Sequence, residues 1–332
     1  MEQQTQPLLS VRDLRIEFDT RYGRVTALDG ASFDINPGET LGVVGESGCG
    51  KSITALAIMG LIPSPPGILA GGSIKYQGEE LTTADEKRLR QLRGGEISMI
   101  FQEPMTSLNP VFKVGDQIAE TILLHQGGSK DEAMDKAIEL LRIVGIPEPA
   151  RRASAYPHEL SGGMRQRVMI AIAISCQPQI LIADEPTTAL DVTVQAQIFE
   201  LMREIQQEFG VAIMMITHDM GAIAEMADRV AVMYAGKIIE EGAADDILDL
   251  PGHPYTKGLI GCIPALGKAS ATSERMAPLA EIPGVVPPLH LLGEGCAFAD
   301  RCNEVHEACK LAPTLTGSPH AVACHAYKGD AS

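Results

Sequence analysis

With 332 residues, 45% of them hydrophobic, the chain has material for the core of one large domain with an appendage, or of two domains, and is no disordered polymer. Lys and Arg number 27 against 43 Asp and Glu, and the resulting net charge of −16 argues against a nucleic-acid partner, whose phosphates are bound by cationic side chains. The cysteine count is odd at seven and the opening MEQQTQPLLS lacks a positive start followed by an apolar run, so the expected setting is the cytoplasm, with thiols used for metal binding or burial rather than a disulfide framework.

From Leu8 to Ile35 the pattern alternates, and LLSVRDLRIEF and VTALDGASFDI read as strands of a partly antiparallel sheet with Gly23 and Gly30 at turns. TLGVVG is a buried strand, ITALAIMGLI a helix ended by the breaker-rich SPPGILAGG, and ISMIFQ another short strand. Between Pro104 and Leu160 the character is helical. In SKDEAMDKAIELLRIVGI, Met134, Ala137, Leu140, Leu141 and Val144 fall at helical spacing behind a capping box of Ser129 and Glu132. QILIADEP and VAIMMITHD are apolar strands separated by the helical VQAQIFELMREIQQEF, the alternation of a parallel sheet covered by helices, and RVAVMYAGKIIEEG follows as a hairpin. The most apolar runs, VMIAIAISC and VAIMMI, fall short of the roughly 20 residues that span a bilayer. After about Leu250 the texture turns rich in Pro and Gly, and a boundary is placed there.

Three stretches carry chemistry. GESGCGKS, Gly45 to Ser52, fits the phosphate-loop pattern between a strand and a helix: glycines let backbone N–H groups wrap an anion, Lys51 reaches the β- and γ-phosphates, and the Ser52 hydroxyl ligates Mg²⁺. A glycine-rich turn is the plain alternative. ILIADEP presents Asp184 and Glu185 at the end of an apolar strand, the first suited to hold Mg²⁺ through water and the second to polarise an attacking water. LSGGMRQRVMIAIAI sets Ser161, Gly162 and Gly163 before a helix, a second helix N-terminus open to an anion, although taken alone Ser161 reads as an ordinary N-cap.

The order GESGCGKS, Gln102, LSGGM, ILIADEP, TALD and His218 resembles the ATPase subunit of an ATP-binding cassette (ABC) transporter. The resemblance implies an α/β fold: a P-loop NTPase cassette with a RecA-like mixed-sheet core, an antiparallel β-subdomain and a helical subdomain. The cassette spans 8–250, with the helical part at about 104–165, and a small cysteine-rich extension covers 251–332. It implies that ATP is sandwiched head to tail between the phosphate loop of one cassette (Gly45, Glu46, Ser47, Gly48, Cys49, Gly50, Lys51, Ser52, Ile53) and the Ser161–Gly162–Gly163 element of another. Gln102 then contacts Mg²⁺ and senses the γ-phosphate and the membrane partner, with Ser52 and Asp184 also on Mg²⁺. Glu185 is the general base, His218 the switch residue, Asp191 lies at the dimer seam, and Tyr22 takes the place of the aromatic that stacks on adenine. Met164 departs from the family's final Gln in SGGQ, which puts one hydrogen bond of that Gln in doubt.

FQEPMTSLNP, HPYTKGLI and the cysteine tail narrow the resemblance to the dipeptide and oligopeptide importer ATPases. It implies two integral membrane permease subunits, a second and non-identical ABC ATPase subunit, an external substrate-binding protein, no nucleic acid, and a peripheral place on the cytoplasmic face of the inner membrane. The helical insert with EPMTSLNP is the expected docking surface. Two alternatives stand beside it: a soluble ABC ATPase acting on nucleic acid or the translation machinery, and an ABC subunit of a phosphonate-metabolism complex.

Five, six and fourteen residues separate Cys296, Cys302, Cys309 and Cys324, neither the short pairing of most zinc sites nor a familiar ferredoxin spacing. Four cysteines match the ligation of a [4Fe–4S] cluster, which some members of the resembled family carry here; zinc and inert thiols are the alternatives. With Tyr255, Phe298 and Tyr327 as its aromatics, the segment after Leu250 builds little core and is expected to need a staple. His306, His320 and His325 are near enough to substitute as ligands, whereas Cys49 sits in the phosphate loop and Cys176 and Cys262 read as small apolar residues.

Overall fold

The alternating N-terminal segments form one sheet and the apolar runs another. The computed structural model describes residues 6–102, 107–188, 190–262 and 281–327. β1 (Leu9–Thr20) pairs antiparallel with β2 (Gly23–Ile35) on one side and β4 (Gly67–Tyr76) on the other, and β5 (Glu79–Glu80) completes the four strands. Two sequence expectations change here. Gly30 is not at a turn: Leu14 pairs with Ala31 and Arg15 with Asp29, so Gly30 is the extra residue of a bulge inside β2. SPPGILAGG does more than end a helix, because its second half opens β4. Gly71 and Gly72 fall where the β1–β4 register slips, and a Cβ on Gly72 would lie 2.6 Å from the Asp13 carbonyl, so only glycine permits the approach.

The second sheet runs in the order β11 (Ala321–Val322), β10 (Lys237–Ala243), β9 (Arg229–Tyr234), β3 (Thr40–Val44), β8 (Ala212–Thr217), β7 (Ile180–Asp184) and β6 (Ile97–Ile100). Its parallel part consists of β6 (Ile97–Ile100), β7 (Ile180–Asp184), β8 (Ala212–Thr217), β3 (Thr40–Val44) and β9 (Arg229–Tyr234). Every residue of β3, β7 and β8 is buried, as expected when helices cover both faces of a sheet. The helix Val192–Phe209 connects β7 to β8, with Ile198, Phe199, Leu201, Met202 and Ile205 turned inward. β10 (Lys237–Ala243) closes the predicted hairpin with β9.

Helices Val114–Gln126, Lys130–Ile143 and Pro149–Ala153 make the helical insert. The Ser129–Glu132 capping box forms, with each side chain on the other's backbone N–H. Ala137, Leu141 and Val144 are fully buried, while Met134 and Leu140 pack on the same core from its margin.

The residues after Leu250 share a core with those before it. β11 (Ala321–Val322) extends the sheet antiparallel to β10, and Tyr255, Phe298 and Ala323 are buried in the cluster that holds Ile100, Val168 and Ile213. The joint is a buried carboxylate: Glu240 accepts from the backbone N–H of Gly252 (2.5 Å) and His253 (2.9 Å) and meets His320 Nε2 at 2.7 Å. His253 caps the helix Pro254–Gly261 by accepting from the Tyr255 N–H, and burial pushes its imidazole pKa down to about 4. No described helix is long and apolar enough to cross a membrane.

Candidate nucleotide site

Four segments that follow strand ends meet at one edge of the parallel sheet, the place where open α/β sheets bind ligands. β3 runs into Gly45–Ser52, β6 precedes Gln102, β7 ends at Asp184, and His218 follows β8. The phosphate loop depends on its glycines. Gly45 (φ 154°), Gly48 (81°) and Gly50 (112°) lie in the left-handed region, and a Cβ on Gly45 would come within 2.2 Å of the Met233 carbonyl. Gly50 then caps the helix Lys51–Ile58, whose first turn holds Ser52 and Ile53. Lys51 is buried, and its ammonium donates to the carbonyls of Gly45 (2.6 Å) and Glu46 (3.1 Å). Burial pushes the Cys49 thiol up, against the pull of Lys51.

The two adjacent carboxyls differ in environment. Burial holds Asp184 above the ordinary carboxylate range, opposed by a hydrogen bond with the Ser52 side chain, and its Oδ1 is buried without a hydrogen-bond partner. An orphaned carboxylate oxygen beside a serine hydroxyl fits a hard cation such as Mg²⁺, which takes oxygen ligands. Glu185 is also partly buried, yet hydrogen bonds from Thr188, His218 and Gln102 outweigh burial and hold its carboxyl below its ordinary range. Thr188 Oγ1 donates to Oε2 (2.9 Å), as does Gln102 Nε2 (2.8 Å), and His218 Nδ1 stands 3.1 Å from Oε1. The Glu185 backbone is left-handed at φ 47°, a sparsely populated conformation for a non-glycine residue and common at functional sites. Gln102, Glu185 and His218, some 83 and 33 residues apart in pairs, are therefore one hydrogen-bonded group.

Other expected residues stand elsewhere or in different company. Ser161 caps its own helix, Gly162–Ile174, by accepting from the Met164 N–H at 3.3 Å, and Met164 packs on the helical core where the family pattern has Gln. Asp191 likewise caps Val192–Phe209 through the Val194 N–H at 3.0 Å. Tyr22 is exposed and stacked at 4.9 Å and 6° on His290, a residue of the extension. Residues 103–106 of the expected docking stretch, Ala189 of TALD and GKASATSERMAP lie outside the described residues.

Cys296, Cys302, Cys309 and Cys324 line a single cavity of about 10 Å³ with His253, Phe298 and His325. That is the room of about one water. Burial pushes the Cys296 and Cys302 thiols up, and the neighbouring cysteines add to it. Among the described residues no group of three or more His, Cys, Asp or Glu stands in an arrangement that could hold a metal ion.

Residues 28–188 match the family described as ABC transporter, and residues 239–309 match the oligopeptide/dipeptide transporter C-terminal region. The chain is 53% identical to the oligopeptide transport ATP-binding protein OppD of Bacillus subtilis over 89% of this chain and 81% of that protein. The chain belongs to the ATP-binding subunits of the oligopeptide/dipeptide ABC transporter family. It is 49% identical to the dipeptide transport ATP-binding protein DppD of the same organism, over 96% of this chain and 94% of that one. The dimeric, post-hydrolysis structure of the cassette MJ0796 bound to ADP and Pi superposes with a TM-score of 0.64 at 26% identity, covering 71% of this chain and 98% of that one. The fold is thus an ABC cassette, and the subunit is an ATPase.

Sequence reasoning passed over Thr188 as a partner of Glu185, although it begins TALD. It also passed over Arg301 and Tyr255, which reach the phosphate loop. Arg301 sits in the cysteine stretch and Tyr255 in HPYTKGLI, but neither segment signals what it touches.

Proposed function

We propose that this chain hydrolyses ATP to drive import of di- or oligopeptides through two permease subunits, paired with a second, non-identical cassette and supplied by an external binding protein. Its place is then peripheral, on the cytoplasmic face of the inner membrane. The observation that carries the reading is the convergence of Gln102, Thr188 and His218 on Glu185 beside a phosphate loop, with Asp184 Oδ1 left for a cation. The match of residues 239–309 favours the transporter over the two alternatives. Exposed Phe101, Val111 and Phe112 flank the docking stretch and support contact with a membrane partner there.

In this reading Lys51 and the N–H groups of Gly45–Ser52 hold the triphosphate, Tyr22 offers its ring to the adenine, and Ser52, Asp184 and Gln102 hold Mg²⁺, which supplies charge neutralisation at the phosphates. Glu185 orients the attacking water and takes its proton. His218 and Gln102 now bond to Glu185, so turning toward a γ-phosphate would free the carboxylate. Ser161, Gly162 and Gly163 offer their helix end to the ATP of the partner cassette, with Asp191 at the seam. The division into a cassette at 8–250, with its helical part at about 104–165, and an extension at 251–332 belongs to the same proposal.

A [4Fe–4S] cluster is proposed here on the donor set alone, four cysteines that line one cavity. Full-length protein purified without oxygen should contain iron and sulfide; zinc without iron would defeat that assignment. With its membrane partners in vesicles, the chain should support ATP-driven peptide uptake. Failure to assemble with any membrane protein would defeat the transport reading.

A further inference from the structure

The extension reaches across the molecule to the first turn of the phosphate loop. Arg301, its side chain almost wholly buried, forms a two-pronged ion pair with the Glu46 carboxylate, Nη1 to Oε2 at 2.6 Å and Nη2 to Oε1 at 3.0 Å. Its third nitrogen donates to the Pro283 carbonyl at 2.7 Å, and its guanidinium lies 5.8 Å from the ring centres of Tyr234 and Phe298. The Glu46 N–H donates to Tyr255 Oη at 2.7 Å, and the Glu46 carbonyl receives Lys51 Nζ. Glu46 is thus held at its N–H, carbonyl and carboxylate, and the partners of its N–H and carboxylate, Tyr255 and Arg301, belong to the segment after Leu250.

We infer that Arg301 is a positioning residue for ATP binding: it fixes Glu46, and with it the phosphate loop, and neutralises the one carboxylate within that loop. This rests on the assignment of Gly45–Ser52 to the phosphates. A loop with three left-handed glycines has many conformations open to it, and an anchor that keeps the competent one populated spares that ordering on binding. Charge acts in the same direction. Without Arg301, Glu46 would present an uncompensated negative charge to an incoming triphosphate. A fork-to-fork pair suits the task because it fixes direction as well as distance.

The test is ATP hydrolysis by the assembled transporter carrying Arg301→Gln, Glu46→Gln or both. Arg301→Gln should raise KM for ATP about tenfold, as when the competent loop falls to about a tenth of the population, with kcat held within about twofold. Glu46→Gln should raise KM less, since it removes the anchor and the unwanted charge together, and the double variant should be no worse than Arg301→Gln alone. An unchanged KM, a kcat that falls as far as KM rises, or effects that add in the double variant would overturn the inference. If Arg301→Gln fails to assemble, Glu46→Gln, whose carboxylate is partly exposed, carries the test: raised KM with kcat kept supports the anchor, and unchanged KM refutes it. Lys51→Ala separates this from the site assignment. Wild-type ATP affinity in Lys51→Ala would remove the phosphate loop itself; lost affinity there with unchanged KM in Arg301→Gln would remove only the anchor.

Discussion

Two buried carboxylates show how the cassette and its extension differ. Asp184, at the end of β7, has an oxygen with no partner, whereas Glu240, on β10, is fully buried and holds the N–H groups of Gly252 and His253 and the ring of His320. The nucleotide site keeps an unsatisfied group at a cost in stability, and the joint to the extension keeps a satisfied one that adds to it. Buried polar atoms are usually paired, and the Asp184 orphan is set apart from the others by its place beside the Ser52 hydroxyl at the end of β7.

The comparison breaks first at Glu240. Glu240→Gln removes the charge from a group with three partners and should lower stability by about 2 kcal/mol, near the worth of hydrogen bonds to a buried charge, read from the urea midpoint of the nucleotide-free chain. An unchanged midpoint would mean that the Glu240 joint adds nothing to the docking of the extension.

Asp184→Asn should act in the opposite sense and raise nucleotide-free stability by about 1 kcal/mol, the usual gain when a functional site gives up an unfavourable group. The pH dependence follows from the raised folded pKa of Asp184. Between the unfolded and folded values the folded chain binds more protons, so stability falls as pH rises through that window and is fullest below it; the Asn variant lacks this fall. A destabilised Asp184→Asn chain would show that Ser52 and Lys51 already satisfy the carboxylate.

The cassette was legible because its signals are local. GESGCGKS lies between a buried strand and a helix, and ILIADEP carries its carboxyls straight off a strand, so chain neighbours set both places. β4 was hidden because Gly71 and Gly72, which look like breakers, serve a bulge against Asp13 and Leu14. Gly30 misled in the same way. The extension was legible as a separate stretch rich in Pro, Gly and Cys but not in its contacts. Arg301 meets Glu46 across 255 positions, and no periodicity marks a pair that only the tertiary fold assembles. The same holds for Tyr255 beneath the phosphate loop and for Glu240, whose three partners come from two separate segments. Low aromatic content suggested a weak core there, yet Phe298 and Tyr255 are buried because they share the core of the cassette with Tyr234.

The central claim is that Glu185 is the base of an ATPase whose site lies along these strand ends. Its most direct test is single-turnover hydrolysis and ATP affinity of Glu185→Gln in the assembled transporter. Affinity should stay near wild type while hydrolysis slows by about 10² or more, the usual loss with a general base. Hydrolysis at the wild-type rate would contradict the account.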